Sequence, residues 1–379
     1  MKQNFDVIVW GAGGMGSATL RSLALRGANV CGVEQFGAAH DQGSSHGETR
    51  IIRKAYFEHP DYVPLLNRSF ELWREIADES GRQLQITNGL VVSGDPSSAT
   101  IQGLQRCYAE HALPHERWTA EETRKHFPQF HLPGGHSVFF DPDGGYLMVE
   151  ECVKANLSSA LHHGATLYFG EQVLSWHADT SGVSVQTDQR ELQAKALVLT
   201  AGAWAGRVLS EYGIPLEIWR KVLVWYRGNG LEAFSPQAFP TYFIELDYGG
   251  FYGFPVVSEA GFKAAEHFEP DIVAQPEALQ RQLLPRDEPR LQRFLTEIFP
   301  ALRKPKRSAF KVCMYTKSPD DHFVLGALPE TPSVIVGAGF SGHGFKFAPV
   351  IGEILADLAL DGQTSHPIDF LKLERFLNN

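Results

Sequence analysis

The sequence predicts an α/β fold in which a domain built on a parallel sheet carries an inserted, mostly antiparallel β-sheet lobe. Three observations predict this fold. A glycine-rich turn near the N-terminus joins a short apolar strand to a helix. Apolar strands typical of a buried sheet recur at 196–200 and 333–336. Residues 220–320 are instead rich in β-like segments and in Pro and Gly, so a second lobe divides the parallel-sheet elements.

The first element is a βαβ unit of the Rossmann type. The strand 6–10 enters the turn GAGGMG, a helix-like stretch ends at Gly27, and the next strand ends at Glu34. Such glycines let the backbone approach a pyrophosphate, and the helix N-terminus supplies N–H donors. Glu34 would accept hydrogen bonds from a ribose and repel a 2′-phosphate, which disfavours NADP but leaves FAD and NAD open. A tight turn without a ligand is the alternative, disfavoured because strand, glycines, helix and acid agree. The predicted ligand-binding glycines are Gly11, Gly13, Gly14 and Gly16.

The remaining elements are predicted from apolar spacing and turn residues. We predict a strand at 90–94 and a turn at 141–145. Helix-like segments are predicted at 62–76, 150–163, 276–299 and 349–360. The predicted domains are a discontinuous nucleotide-binding domain at 1–90, 145–220 and 320–379, and a substrate domain at 91–144 and 221–319.

Composition excludes several classes of protein. With 43% hydrophobic and 21% charged residues, the chain has an ordinary globular composition. The 34 basic and 44 acidic residues give a net charge of −10, which disfavours nucleic acid and anionic membranes as partners. No signal peptide and no apolar run of ~18 residues is visible, so a cytoplasmic protein is predicted. The four cysteines form no CxxC pair and HExxH is missing, so no metal site is expected. GxSxG and P-loop motifs are also missing, which disfavours the chemistries that use them. No obligate protein partner is predicted.

Two arginines and a lysine form a candidate binding constellation. Arg50 and Arg53 lie in the apolar context TRIIR, and their spacing would place them on one face of a helix or helical turn. Lys346 follows a glycine-rich loop, from which its side chain could reach into a cleft. An arginine fork suits a carboxylate, and a lysine adds a point charge. Ordinary solvated surface residues are the alternative.

Five segments carry a specific resemblance to a known family. They are GSSHGETRIIRKAY at 43–56, YVPLL at 62–66, YGFP at 252–255, CMYTKSPDDHF at 313–323 and GAGFSGHGFKFAPVIGEILADLALDG at 337–362. The chain resembles the monomeric sarcosine oxidase and N-methyltryptophan oxidase family, within the D-amino-acid-oxidase-like flavoenzymes. The resemblance spans essentially the full length and is loose at 95–140 and 220–240. It implies FAD as cofactor, a small amino acid as substrate, oxidation of its secondary amine to an imine and then to amine plus aldehyde, and reduction of O2 to H2O2.

The resemblance also implies a role for each candidate residue. Cys313 would form a thioether to the 8α-methyl of FAD, the alternative being a buried structural thiol. Arg53 and Lys346, with Gly342, would bind the substrate carboxylate. Lys263 would activate oxygen, because a cation beside the flavin stabilises developing superoxide; an exposed strand lysine is the alternative. Further catalytic or pocket residues would be Arg50, Tyr252, Tyr315 and His267.

The FAD-binding set implied by the resemblance includes the glycine turn and Glu34. It adds residues on the segment that follows the βαβ unit, on two central turns and on the C-terminal glycine-rich loop. These are Ser44, Ser45, His46, Thr49, Arg50, Val173, Ala201, Gly202, Cys313, Gly339, Gly342, His343, Gly344 and Lys346.

Departures from the family leave the substrate open. Phe243 stands where a methionine often lies in the sarcosine enzymes, and Glu266 with two alanines separates Lys263 from His267. Sarcosine, larger N-methyl amino acids and cyclic imino acids such as proline or pipecolate all stay candidates. Two alternative functions are a flavin dehydrogenase that passes electrons to a protein or quinone, and a non-catalytic FAD-binding subunit.

Overall fold

The computed structural model describes residues 3–377 and confirms an α/β fold. No helix within these residues is long and apolar enough to cross a membrane. The helices are α1 Gly14–Leu25, α2 Val63–Ser80, α3 Ala99–His111, α4 Ala120–His126, α5 Val149–His162, α6 Gly206–Leu209, α7 Pro289–Ile298 and α8 Ala348–Asp361.

The strands form one eight-stranded, one nine-stranded and one three-stranded sheet, called here the first, second and third sheets. They are β1 Gln3–Trp10, β2 Val30–Glu34, β3 Thr49–Ile52, β4 Gln85–Thr87, β5 Leu90–Gly94, β6 Glu116–Trp118, β7 Ser137–Asp141, β8 Gly145–Met148, β9 Thr166–Phe169, β10 Val173–Asp179, β11 Gly182–Thr187, β12 Glu191–Leu199, β13 Glu217–Asn229, β14 Thr241–Leu246, β15 Gly249–Phe254, β16 Phe262–Glu266, β17 Ile272–Val273, β18 Arg303–Lys317, β19 Val324–Leu328 and β20 Thr331–Ala338.

The first sheet has a parallel centre assembled from distant parts of the chain. Strand β1 pairs in parallel with β2 and β12, β2 pairs with β9, and β12 pairs with β20. The predicted strands at 196–200 and 333–336 lie in β12 and β20. Helix α8 crosses α1 so closely that a Cβ on Gly352 would lie 2.6 Å from the backbone of Ala18. This close approach holds the C-terminal helix against the helix that follows the glycine turn.

The second sheet is mostly antiparallel, as predicted for the inserted lobe. The long strands β13 and β18 pair with each other, and β13 also pairs with β16. Their register places Lys221 opposite Cys313 and Trp225 opposite Lys263. Helix α7 covers an aromatic core on this sheet. The third sheet has the order β3–β8–β4, and Arg50 lies on its strand β3.

The helix predicted at 276–299 is wrong over its first half. Residues 276–278 form a single 3₁₀ turn, and α7 begins only at Pro289. Pro285 and Pro289 each lack the N–H that a continuing helix needs. The segment is instead held by Arg220, whose guanidinium donates to the carbonyls of Gln280 and Gln282 at 2.8 and 2.7 Å.

The predicted domain division is not tested by these contacts and stays a prediction. The strands of the first sheet lie within residues 3–34, 166–199 and 324–338. Those of the second sheet lie within 90–141 and 217–317. The site described next takes residues from both sheets.

Candidate active site

The glycine turn leaves an open space at the N-terminus of α1. A Cβ on Gly16 would lie 1.7 Å from the carbonyl oxygen of Gly11, so Gly16 is required for packing. A Cβ on Gly13 would meet no atom of residues 3–377 within 4 Å, whereas the N–H of Gly14, the first residue of α1, donates to Ser45 Oγ at 3.2 Å. The open space at this helix N-terminus fits an anionic group of a cofactor.

Glu34 is held at the end of β2 by three donors. Its carboxylate accepts the N–H groups of Ala12 at 2.9 Å and Phe36 at 3.0 Å, and His40 Nε2 lies 3.3 Å away. Burial opposes its ionisation, but His40 and the two N–H groups hold the pKa of Glu34 below its usual range. An ionised acid at this point suits hydroxyl donors and repels phosphate.

One large pocket joins the glycine turn to the second sheet. It includes about 1890 Å³ of space between protein atoms, the open solvent at its mouth included. Its lining extends from the glycine turn to Tyr252 and Tyr315 on strands β15 and β18, so it can take an elongated cofactor. The predicted residues that line it are Gly11, Gly13, Gly14, Glu34, Ser44, Ser45, Arg50, Arg53, Val173, Ala201, Gly202, Tyr252, His267, Tyr315, Gly339, Gly342, His343, Gly344 and Lys346.

Five predicted residues lie off the pocket wall of the described chain: Gly16, His46, Thr49, Lys263 and Cys313. His46 is 1% exposed, and neither ring nitrogen has a hydrogen-bond partner among residues 3–377. Burial, and then the charge of Arg50, lowers the pKa of His46 to about 3, so the ring is neutral.

Arg50 and Cys313 meet where β3 approaches β18. Arg50 donates to the carbonyl oxygens of Thr49 at 2.8 Å and Ser44 at 2.9 Å, and its Nη2 lies 3.5 Å from Cys313 Sγ. The thiol is 1% exposed and lies 3.4 Å from the Ser44 carbonyl oxygen. Cys313 Sγ therefore has a guanidinium and a carbonyl oxygen as close neighbours.

Lys263 is buried beside the same segment. Its Nζ donates to the carbonyl oxygens of Gly47 at 2.5 Å and Thr49 at 3.0 Å, and to Thr49 Oγ1 at 3.0 Å. The side chain is 2% exposed, which excludes the exposed strand lysine considered from the sequence. Burial, and then the charge of Arg50, holds the pKa of Lys263 well below its usual range.

Arg53 and Lys346 bring two buried cations to the pocket wall. Arg53 donates to both carboxylate oxygens of Glu58, at 2.9 and 2.7 Å, and stacks on Phe57 at 4.0 Å. Lys346 Nζ donates to the His343 carbonyl oxygen at 2.7 Å. Burial, and then the charge of Arg53, lowers the pKa of Lys346 to about 7. Both side chains are 5% exposed, so an anion entering the pocket would meet poorly hydrated positive charge.

The expected helical relation of Arg50 and Arg53 is wrong. Arg50 lies in strand β3, paired with Leu147, and Arg53 follows the end of that strand. Side chains three apart on a strand point to opposite faces. The two arginines therefore bind different partners, Arg50 near Cys313 and Arg53 on Glu58, although both reach the same pocket.

The pocket wall opposite the cations is polar but neutral. Tyr315 OH lies 3.1 Å from His267 Nδ1 and 3.5 Å from Tyr252 OH. Burial, and then the charge of Lys221, holds the pKa of His267 well below its usual range. Burial also raises the pKa of both tyrosines, so all three groups are uncharged near neutral pH. Such a wall can hydrogen-bond an uncharged amine.

Sequence reasoning missed Glu58, Phe57 and Tyr56 at this site. Glu58 and Phe57 line the pocket, and Tyr56 OH lies 2.6 Å from His343 Nδ1 and 3.4 Å from Lys346 Nζ. The sequence does place an acid, Glu58, only five residues after Arg53. That spacing alone does not show that the two side chains form an ion pair.

The chain belongs to the FAD dependent oxidoreductase family (DAO), whose model matches residues 6–358. It is therefore an FAD-dependent enzyme, and the pocket that begins at the glycine turn is where its residues can hold the cofactor. Among residues 3–377, no cluster of His, Cys, Asp and Glu could hold a metal ion.

Comparison with individual proteins shows which FAD-dependent oxidoreductases the chain is similar to. The chain is 41% identical over 373 residues to a monomeric sarcosine oxidase from Streptomyces avermitilis, covering 97% of both chains. It is 33% identical over 377 residues to an N-methyl-L-tryptophan oxidase from Yersinia pseudotuberculosis, covering 98% of this chain and all of the other. Among solved structures, NikD, described as an unusual amino acid oxidase essential for nikkomycin biosynthesis, superposes with a TM-score of 0.86 at 27% identity, over 98% of both chains. An L-proline dehydrogenase from P. horikoshii matches in fold, with a TM-score of 0.86 at 23% identity over 99% of this chain and 98% of the other.

Proposed function

We propose that the protein oxidises the secondary amine of a small N-methyl or cyclic amino acid and uses O2 as electron acceptor. The observation that carries the proposal is the pair of buried cations, Arg53 and Lys346, facing a neutral wall of Tyr252, Tyr315 and His267 in the pocket that begins at the glycine turn. The relatives named for sarcosine and N-methyl-L-tryptophan support it.

The cations account for recognition of an amino acid. The arginine fork and the lysine ammonium together would bind the substrate carboxylate, and Gly342 lies where the pocket wall comes close to Tyr315. Fixing the carboxylate fixes the position of the amine and its neighbouring C–H bond, which removes much of the entropic cost of reaction. The uncharged tyrosines and histidine leave the amine in its free-base form, which is the form that can be oxidised.

Bound FAD would supply the acceptor for the hydride equivalent of the C–H bond beside the amine and the route for its two electrons to O2, with H2O2 as product. The residues that would hold it are the glycine turn, Glu34 and the loop 337–346. The resulting imine hydrolyses in water to an amine and an aldehyde, which for sarcosine are glycine and formaldehyde. We further propose that Cys313, whose Sγ lies 3.5 Å from Arg50 Nη2, attaches the cofactor covalently.

An anaerobic absorbance titration of the holoenzyme tests the proposal. Sarcosine, larger N-methyl amino acids, L-proline and L-pipecolate are added in turn, and bleaching of the flavin band reports reduction. We expect at least one compound to bleach the flavin, and replacement of Arg53 by Met to raise the concentration required. Lys54→Met, at the neighbouring lysine that pairs with Asp143, is the matched control and should leave it unchanged. A flavin that none of these amines reduces would reject the proposal.

A further inference from the structure

The segment Gly47–Thr49 forms a turn with an unusual backbone. Gly47 and Glu48 both lie in the left-handed region, with φ of +89° and +68°. Such a conformation is costly for a residue with a side chain, so the surrounding contacts must hold it. A Cβ on Gly47 would lie 2.4 Å from Leu223 Cδ1, so the turn is also closely packed against β13.

Glu150, in the first turn of α5, holds this turn from the amide side. Its Oε1 accepts the N–H of Gly47 at 2.7 Å and that of Glu48 at 3.2 Å, and Oε2 lies 3.1 Å from the second N–H. The neighbouring N–H of Val149 donates to the Glu48 carbonyl oxygen at 2.8 Å. The first turn of α5 therefore binds two N–H groups and one carbonyl oxygen of the Gly47–Thr49 turn.

The carbonyl side of the same turn faces Lys263. The Gly47 and Thr49 carbonyl oxygens and Thr49 Oγ1 together accept from the Lys263 ammonium, which has three N–H donors. Gly47 therefore connects two side chains through one residue, its N–H bound to Glu150 and its C=O bound to Lys263. The position of the Gly47–Thr49 turn therefore determines where Lys263 Nζ lies.

The titratable groups around Lys263 come from four elements. Arg50 lies on β3, Glu48 in the turn, Glu150 on α5 and the Cys313 thiol on β18. Glu48 is itself held by Trp225 Nε1 at 2.8 Å and Ser258 Oγ at 2.7 Å. Of the two carboxylates, only Glu150 binds the backbone that positions the ammonium.

We infer that Glu150 is a positioning residue for the reaction with oxygen, and that it acts by fixing the Gly47–Thr49 turn that holds Lys263. The inference rests on the proposed use of O2 and on the role that the resemblance implies for Lys263, which is to assist oxygen reduction beside the cofactor. Glu150 is not among the described residues that line the pocket, so reduction of the cofactor by substrate does not depend on it directly.

The test measures the two half-reactions separately on the holoenzyme. The Glu150→Ala variant is expected to react with O2 about 10-fold more slowly after reduction with dithionite, the scale of one lost charge-assisted hydrogen bond. Its anaerobic reduction by the best amine should stay unchanged. Glu150→Gln should recover most of the oxygen rate, because Oε1 alone accepts both N–H groups.

Two comparisons separate positioning from general damage. Glu151→Gln removes the next acid of α5, which pairs with Arg82 and Lys154, and should alter neither half-reaction. Adding Glu150→Ala to Lys263→Met should slow the oxygen reaction no further, because residues that act together have non-additive effects.

Three results would overturn the inference. In the first, Glu150→Ala slows both half-reactions equally. In the second, the double variant reacts with oxygen more slowly than either single variant, by the product of the two separate factors. In the third, the Lys263→Met enzyme reacts with oxygen as fast as the unchanged protein. Failure of every amine to reduce the flavin would instead reject the substrate proposal. The oxygen comparison, made on dithionite-reduced enzyme, would still decide the role of Glu150.

Discussion

Carboxylate binding is expected to weaken as pH rises through about 7, because Lys346 loses its proton there. The pKa of this lysine is lowered to about 7 by its burial and by Arg53. The sign follows from charge. The protonated ammonium attracts a carboxylate and the neutral amine does not, so affinity is complete below this pKa and is lost above it.

The expected change in Kd follows from the uptake of one proton by Lys346 when the carboxylate binds. Above pH 7 each complex must take up a proton, so the Kd rises about tenfold per pH unit, or ~1.4 kcal/mol. Between pH 7 and 9 the Kd should therefore rise about 50-fold, until binding to the neutral form takes over. Below pH 7 it should be constant, because a simple carboxylate is ionised throughout this range.

Acetate is a suitable ligand because it has a carboxylate and no amine. The assay titrates the holoenzyme with acetate between pH 6 and 9 and follows the flavin absorbance. The Lys346→Met variant should bind more weakly and without this pH dependence. Lys221→Met is the matched control, since Lys221 is 4% exposed with a pKa of about 8 but does not line the pocket of the described chain. A Kd that is flat in the unchanged protein, or that rises equally in Lys346→Met, would refute the reasoning.

Three further predictions follow from contacts at the site. Acid precipitation should leave FAD bound to the unchanged protein and release it from Cys313→Ala, and release from both would contradict covalent attachment. Glu58→Gln should lower the Kd for acetate about 10-fold, because Arg53 loses a carboxylate that competes at 2.7 and 2.9 Å; a higher Kd in the same absorbance titration would contradict this. Gly13→Ala should keep the circular dichroism spectrum of the folded protein but lose FAD affinity, since its Cβ enters the open space, whereas Gly16→Ala should not fold. Equal FAD binding by Gly13→Ala would show that the space is not used.

Much of the first sheet could be predicted because its signals are local. The strand, the glycine turn, the helix and Glu34 lie within 34 residues, and each has a sequence pattern of its own. In the second sheet, the strand predicted at 90–94 matches β5. The helix predicted at 349–360 matches α8, which is followed by Gly362 with φ +71°. A local backbone requirement, such as a left-handed conformation at the end of a helix, can be recognised from the identity of a single residue.

The missed features depend on contacts between distant segments. The spacing of Arg50 and Arg53 suggested a helix, but pairing with β8 makes the segment a strand. The bond from Glu150 to Gly47 joins residues on different elements, and the burial of Lys263 follows from strand pairing across the second sheet. The spacing of apolar residues within one segment carries no information about which distant segment lies beside it. Roles carried over by resemblance, such as that of Cys313, stay predictions that the variants above can test.

The order of strands in the first sheet has a consequence for how the chain folds. Val7 of β1 lies beside Ala196 of β12, and Val198 of β12 lies beside Ile335 of β20. Pairing across such separations requires closure of very long loops, which slows folding and delays completion of the sheet. During synthesis, the glycine turn leaves the ribosome long before the loop 337–346 that completes its pocket. The complete cofactor pocket therefore cannot form until the loop 337–346 has been made and has joined the glycine turn.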